Sequence, residues 1–545
     1  MDAGQRRTLL SQIDDVLEGK RNFLLNNLHQ LDVGCRDFER FYSEYDVNRI
    51  TPANGFRSYC KIIGIMIQNI FDICADPRPF SKSNIKLLNE YTALSTLFLK
   101  QLEIGKMIRS KGTDYSLCKS SDLDRKIIAK ARYTIADIAP FFGEVGFFNL
   151  RKDFQQYWKK VIYMAHYMSL PTIFQKIRYL SSRSYAVRMQ VQHSILPDVG
   201  FVKRAIDITQ FPINWLYRWN GHKGMKFIWV DVPVELNRHV IMLLGYKRPA
   251  FLAEKYRSIR TVRCLLIRPK EMRCGEHLVL HSHGGAFVAG SAKIEADMSA
   301  DRVAVLGVPF LLPDYALAPE HPYPAAVQDI LDVYMFLVSG HQRVADLIGF
   351  HPKKILLSGA SAGGTFSVSV LIALSAIRKR GATTSTLNLL MPCGLNVQYV
   401  SSIIAFIPVP SNIVYDYMCT PSLMSLCASF YAEVNPKLTD EHWYSRQDVS
   451  RTMKRFDDRS LDPLFNPMAF TEWEDLKDIP LAVLACEMDG LLDHSVALAK
   501  RWAGHTDFDL AVGMPHGFLN SPHLAIKNDS LIVVNRMAQA LKIKI

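Results

Sequence analysis

A buried-strand run that ends in Gly359-Ala360-Ser361-Ala362-Gly363 constrains this chain more than any other feature. Lys354-Ile-Leu-Leu-Ser358 is apolar enough for a strand inside a sheet, and a helix-like segment over 365–377 follows at once. A serine in such a strand-to-helix turn is lifted above the sheet end, and glycines at the flanking positions let the turn close without side-chain collision. Ordinary Gly and Ser frequencies produce G-x-S-x-G in roughly one chain in five of this length, so the pattern acquires meaning only from its company.

Upstream, His283-Gly284-Gly285-Ala286 follows a second apolar run, Leu278-Val279-Leu280. Small residues in a loop after a strand let backbone N–H groups approach a carbonyl oxygen as it becomes negative. Gly284, Gly285 and Ala286, with Ala362 beside the serine, are the expected donors. His283 precedes the serine, whereas this kind of site runs serine, acid, histidine along the chain. It is therefore read as structural, its ring bonding loop backbone. Downstream, Leu481-Ala-Val-Leu-Ala-Cys486 reads as a strand and leads into Glu487-Met-Asp489-Gly-Leu-Leu-Asp493; Phe508-Asp-Leu-Ala-Val512 leads into Met514-Pro515-His516. His516 is the candidate base for Ser361, and Asp489 the candidate carboxylate that orients it, ahead of Asp493 and Glu487. His494, His505 and His523 lie in or beside helical stretches and are read as solvated surface.

These segments, with Asp314-Tyr-Ala-Leu-Ala-Pro-Glu-His-Pro-Tyr-Pro-Ala-Ala326, resemble the hormone-sensitive lipase family of α/β-hydrolases. Thr51-Pro-Ala-Asn-Gly-Phe-Arg-Ser58 and Cys486-Glu-Met-Asp-Gly-Leu-Leu-Asp-His-Ser-Val496 are similar to segments of its eukaryotic members, in a short form lacking most of the Ser-rich regulatory module. The resemblance implies an α/β-hydrolase catalytic domain (226–545) preceded by a mostly helical domain (1–225) that binds lipid or partners. It implies a serine ester hydrolase acting through an acyl-enzyme on acylglycerols, cholesteryl esters or retinyl esters, without metal or organic cofactor. A small-ester carboxylesterase and a non-catalytic lipid-binding scaffold are the alternatives. Three positions depart from the family pattern: Ala286 replaces a third glycine, Ala360 an aspartate, and Gly490 a proline after the acid. If position 286 needs a positive φ, alanine there costs on the order of 1 kcal/mol, and its methyl crowds the acyl site.

At 545 residues with 49 % hydrophobic content, the chain can bury more than one core, which fits two domains. Ten cysteines fall in no C-x-x-C or zinc-like spacing, so free thiols in a reducing compartment account for them better than disulfides do. The amino terminus lacks an apolar signal-like stretch, and no 18-residue uncharged apolar run occurs, which points to a cytoplasmic protein or one peripheral to membranes; the resemblance adds lipid droplets to those surfaces. A net charge of +13 favours anionic surfaces. Its densest knots, Arg151-Lys152, Lys159-Lys160 and Arg378-Lys379-Arg380, lack the aromatic interleaving of a nucleic-acid groove and read as solvated surface. A homodimer is compatible with all of this.

The first 220 or so residues lack βα alternation. Leu9, Ile13, Val16 and Leu17 share one helical face, as do Ile62, Met66, Ile70 and Ile73, and 87–102 and 127–138 continue the helical impression. A strand-like run begins at Phe227. Strands are then expected at 278–280, 308–312, 355–358, 403–407, 481–485 and 510–512, with helices at 325–337 and 524–541.

Overall fold

The computed structural model describes residues 21–74, 82–111, 225–233, 261–272, 275–318, 321–382, 389–404, 409–414, 424, 427–428, 431–432, 459–520 and 526–544. The helical face at Leu9–Leu17, the 127–138 segment, the first two basic knots and His523 lie outside these residues.

Three helices come first: α1 (Arg21–Glu39), α2 (Gly55–Cys74) and α3 (Lys82–Lys111). Their apolar residues recur at helical spacing, so one stripe of each is buried: Leu24, Leu31 and Phe38 on α1; Phe56, Tyr59, Ile62, Met66 and Ile70 on α2; Leu88, Tyr91, Phe98 and Leu102 on α3. Phe38 packs on Phe56 with ring centroids 4.7 Å apart, and the Tyr59 hydroxyl donates to the Phe98 carbonyl at 2.6 Å.

Among the described residues, the remainder is organised around one sheet of eight strands: β1 (Met225–Pro233), β2 (Thr261–Pro269), β3 (His277–Ser282), β4 (Phe310–Pro313), β5 (Lys354–Ala360), β6 (Gly394–Gln398), β7 (Leu481–Met488) and β8 (Thr506–Pro515). Their order is β1-β2-β4-β3-β5-β6-β7-β8; β2 runs antiparallel to both of its neighbours, β1 and β4, and every other pair is parallel. Helices cover both faces. α4 (Ala296–Leu306) and α9 (Ile526–Leu541) lie on one; α5 (Ala325–Val338), α7 (Ala362–Ala382) and α8 (Leu492–Arg501) lie on the other, with α6 (Gln342–Ile348) preceding β5. Strands covered on both faces need apolar side chains on both, which is why β3, β5 and β7 read as unbroken apolar runs. The β1 edge instead has one half-solvated face, and Trp229 is part-exposed there with the Arg263 guanidinium over its ring.

One expected strand is misplaced. Residues 401–404 are not a strand; β6 is formed by Gly394-Leu-Asn-Val-Gln398 instead. Asn396 and Gln398 look polar for a central strand, but both are buried and hydrogen-bonded, and the Gln398 carbonyl accepts the Ser361 N–H at 2.9 Å. The third basic knot is not simply solvated either. Lys379 pairs with Glu472 and Asp475, and the Arg378 guanidinium donates to the Asp475 carbonyl at 2.9 Å.

Candidate active site

The turn between β5 and α7 puts Ser361 at φ +53°, a left-handed conformation that costs a non-glycine residue about 1–2 kcal/mol. The flanking glycines make that turn possible. A Cβ on Gly359 would run into the Gly363 carbonyl, and one on Gly363 would run into the Ser282 and His283 carbonyls at the end of β3. Close approach of backbone therefore dictates the G-x-S-x-G spacing here. His516 follows β8, and Asp489 follows β7, so both arrive at the same carboxyl-terminal edge of the sheet.

The structure brings the three expected residues together. The Ser361 hydroxyl lies 2.8 Å from His516 Nε2, and His516 Nδ1 lies 2.9 Å from Asp489 Oδ2. An Nδ1–H donated to Asp489 leaves Nε2 free to accept the serine proton. Asp489 Oδ1 accepts the Leu491 N–H at 2.7 Å, which fixes the carboxylate plane. All three residues are buried, and Tyr399 stands edge-on to the imidazole at 4.9 Å. Such a chain can transfer a proton from the serine to the imidazole as the oxygen attacks a carbonyl.

The expected oxyanion loop sits against the serine: a Cβ on Gly284 would lie 3.4 Å from the Ser361 Cβ. Ala286 and Phe287 adopt φ +50° and +71°, so the alanine does occupy a left-handed position where glycine would be unstrained. Among the described residues, the N–H groups of Gly285, Ala286 and Ala362 have no hydrogen-bond partner, as donors awaiting an oxyanion would. Gly284 is a correction to that set. Its N–H points at Glu295 Oε1, 3.3 Å away, and is engaged there.

Sequence order set His283 apart from the base, and its ring lies in the loop frame. It donates from Nδ1 to the Gly284 carbonyl at 2.7 Å and stacks on Tyr315 at 4.1 Å, while the Tyr315 hydroxyl donates to the His283 carbonyl at 2.6 Å. Asp314 accepts the Ala292 N–H at 3.1 Å. The Asp314–Ala318 segment is therefore the brace that holds the loop.

Behind the loop is a network that the motifs did not reveal. His281 lies 3.0 Å from the Ser358 hydroxyl through Nδ1 and 3.3 Å from Glu295 through Nε2. Burial pulls the His281 imidazole below its ordinary range, against the pull of Glu295. Neutral His281 then accepts from Ser358 and donates to Glu295. Burial alone would raise the Glu295 carboxyl, but the His281 hydrogen bond and nearby positive charge, Arg302 included, outweigh it and hold the carboxyl below its ordinary range. Arg302 is fully buried and reaches Gln398 Oε1 at 3.5 Å. The sequence does not single Glu295 out, since Lys293 and Asp297 carry charges two positions to either side of it.

The rival residues have other partners. Asp493 accepts the Gly55 N–H at 2.9 Å, and Glu487 pairs with Lys61 at 2.8 Å and accepts the Gly513 N–H at 2.7 Å. His505 is exposed as expected. His494 is not: it is buried, and its Nδ1 accepts the Ile403 N–H at 3.3 Å. Its helix packs inward because α8 follows the acid loop directly. Burial, helped by the His516 charge, lowers the His494 pKa to about 4. Ala360 is buried in the same apolar cluster as Tyr399 and Leu484, and its methyl group offers the turn no carboxylate. The Gly490 carbonyl accepts the Ser411 hydroxyl at 2.7 Å. Among the described residues, no group of three or more His, Cys, Asp or Glu could hold a metal ion, and no helix is long and apolar enough to cross a membrane.

Two sequence families match the chain. One, described as the hormone-sensitive lipase (HSL) N-terminus, covers residues 10–169; the other, described as an alpha/beta hydrolase fold, covers 279–520. Hormone-sensitive lipase from Bos taurus is 31 % identical over 193 residues, which are 35 % of this chain and 23 % of that protein. The esterase of Acinetobacter venetianus is 34 % identical over 120 residues, 22 % of this chain and 37 % of that protein. The matched stretch thus spans less than a quarter of the bovine lipase and little more than a third of the bacterial esterase. Among solved structures, a hyperthermophilic esterase from Pyrobaculum calidifontis aligns with a TM-score of 0.46 at 21 % identity, covering 65 % of this chain and 97 % of that one.

Proposed function

The chain belongs to the hormone-sensitive lipase family of α/β-hydrolases, and from that premise we propose that it is a serine carboxylic ester hydrolase. The observation that carries this reading is the Ser361–His516–Asp489 chain, with its 2.8 and 2.9 Å links. Ser361 attacks the acyl carbonyl while His516 takes its proton. The developing oxyanion is received by the N–H groups of Gly285, Ala286 and Ala362, each worth about 3 kcal/mol of transition-state stabilisation in sites of this kind. His516 returns the proton to the leaving alcohol, and water then releases the acid from the acyl-enzyme. Asp489 holds the imidazole tautomer and stabilises the imidazolium.

We further propose neutral lipid esters (acylglycerols, cholesteryl or retinyl esters) as substrates, met at a lipid-droplet or membrane surface in the cytoplasm. The match of 10–169 to the amino-terminal part of hormone-sensitive lipases supports this narrower reading. The similarity to a bacterial esterase supports the alternative, a carboxylesterase for short esters. Ser361→Ala should reduce hydrolysis of a p-nitrophenyl ester by several orders of magnitude with the fold retained. Undiminished turnover would overturn the assignment. A rate profile over acyl lengths then separates the two substrate readings, since a lipid hydrolase gains with chain length and a short-ester enzyme loses.

A further inference from the structure

The first turns of α2 are built into the frame that holds the triad. Gly55 opens the helix, and its N–H donates to Asp493 Oδ2 at 2.9 Å. Asp493 lies four positions past Asp489 and is fully buried. One turn further, the Ser58 hydroxyl donates to the Glu487 carbonyl at 2.7 Å, two positions before Asp489. The acid loop is thus gripped on both sides of its aspartate by one helix of the amino-terminal bundle. The grip extends to the base. Glu487 Oε2, paired with Lys61, accepts the N–H of Gly513, three residues ahead of His516.

A third element locks the seam. The turn Pro410–Ile413 lies between α2 and the acid loop. Its Ser411 hydroxyl donates to the Gly490 carbonyl at 2.7 Å and accepts the Asp493 N–H at 3.2 Å. Gly55 abuts this turn so closely that a Cβ there would run into the Pro410 and Ser411 backbone. The packing is tight, polar and buried, and the hydrogen bonds fall on backbone beside Asp489 rather than on distant surface. Misplacing a reacting group by about 1 Å can cost roughly a hundred-fold in rate, so the precision of this seam bears directly on chemistry.

We propose that the amino-terminal helical domain is a working part of the catalytic apparatus, with Ser58 and Asp493 as positioning residues that set the acid and base loops through α2. The proposal rests on the Ser361–His516–Asp489 reading above. Asp493 and Glu487, which compete with Asp489 on sequence grounds, act through it instead.

The test compares full-length Ser58→Ala, Asp493→Ala and Asp493→Asn with the parent chain and Ser361→Ala on p-nitrophenyl butyrate. Ser58→Ala removes one hydroxyl and leaves the start of α2 otherwise intact, so the outcome rests first on that variant. Expected are a fall in kcat of roughly ten-fold or more for Ser58→Ala and Asp493→Ala, KM within about two-fold, and a displaced acidic limb in the kcat/KM pH profile. Asp493→Asn keeps an acceptor for the Gly55 N–H and should recover most of the rate. Asp37→Asn, which breaks the surface pair with Arg109, should leave kcat and the pH profile unchanged. If Ser58→Ala and Asp493→Ala keep the parent kcat and pH profile while Ser361→Ala is inactive, the positioning role is wrong and the hydrolase reading stands. If the parent chain itself matches Ser361→Ala, the hydrolase reading fails first.

Discussion

Glu295→Ala removes the one carboxylate in the buried network behind the oxyanion loop, and two consequences can be separated. The first is stability. The substitution deletes the hydrogen bond from the Gly284 N–H, and it leaves the guanidinium of Arg302 buried without the charge that offsets its desolvation. Glu295 acts on Arg302 through charge and not through a direct ion pair, so the cost lies below the roughly 3–5 kcal/mol of a broken buried pair, whereas replacing both residues by apolar side chains is often near neutral. Glu295→Ala should therefore lower the urea midpoint clearly, and Glu295→Ala with Arg302→Met should restore most of it. The second consequence is rate. Gly284 is the hinge between the end of β3 and the donors at Gly285 and Ala286, and it stays unanchored in both variants. Loosening the donors costs less than deleting one, so kcat on p-nitrophenyl butyrate should fall about ten-fold in the single and the double variant alike. Stability would then recover in the double variant while the rate would not. Recovery of both together would refute the anchoring argument, because it would make Glu295 a counter-charge for Arg302 and nothing more.

Ala286→Gly exchanges about 1 kcal/mol of left-handed strain for a comparable gain in unfolded-chain entropy, so the urea midpoint should scarcely move. Removing the methyl should raise the rate for p-nitrophenyl pivalate relative to the acetate, and an unchanged ratio would show that position 286 does not face the acyl group. His494 supplies a pH prediction. Its unfolded pKa is near 6.5 and its folded value about 4, so between these the unfolded chain binds more protons and stability falls as pH falls. The full span corresponds to about 3 kcal/mol. His494→Asn keeps an acceptor for the Ile403 N–H and cannot protonate, so its urea midpoint should decline less than the parent's between pH 6.5 and 4; parallel declines would contradict the assignment.

Much of the sheet was legible because strands covered on both faces must be apolar throughout, and β3, β5 and β7 say so directly. β6 was not legible, for the opposite reason. Its Asn396 and Gln398 satisfy one another and the serine turn, and hydrogen bonds to a neighbouring loop leave no trace in hydropathy. The same distinction divides the site. Ser361, His516 and Asp489 could be found because their chemistry fixes their types and their order along the chain. The small size of Gly284 suits a donor to the oxyanion, yet which way an N–H points depends on a partner, here Glu295.

The residues around the triad were hardest to read, since each acts across a long sequence separation. Ser58 and Glu487 are 429 positions apart, and Gly55 and Asp493 are 438 apart. Neither serine nor glycine carries a chemical signature that announces such a contact. The two carboxylates did stand out, and motif logic could only treat them as rivals to Asp489. Glu487 and Asp493 are held by a helix that belongs to the other half of the chain, and this changes what that half is for. A bundle that served only to dock on lipid could be tethered anywhere on the hydrolase surface. This one is seated on the segment that carries Asp489, and through Glu487 it reaches the segment that carries His516, so it bears on whether His516 can accept a proton from Ser361.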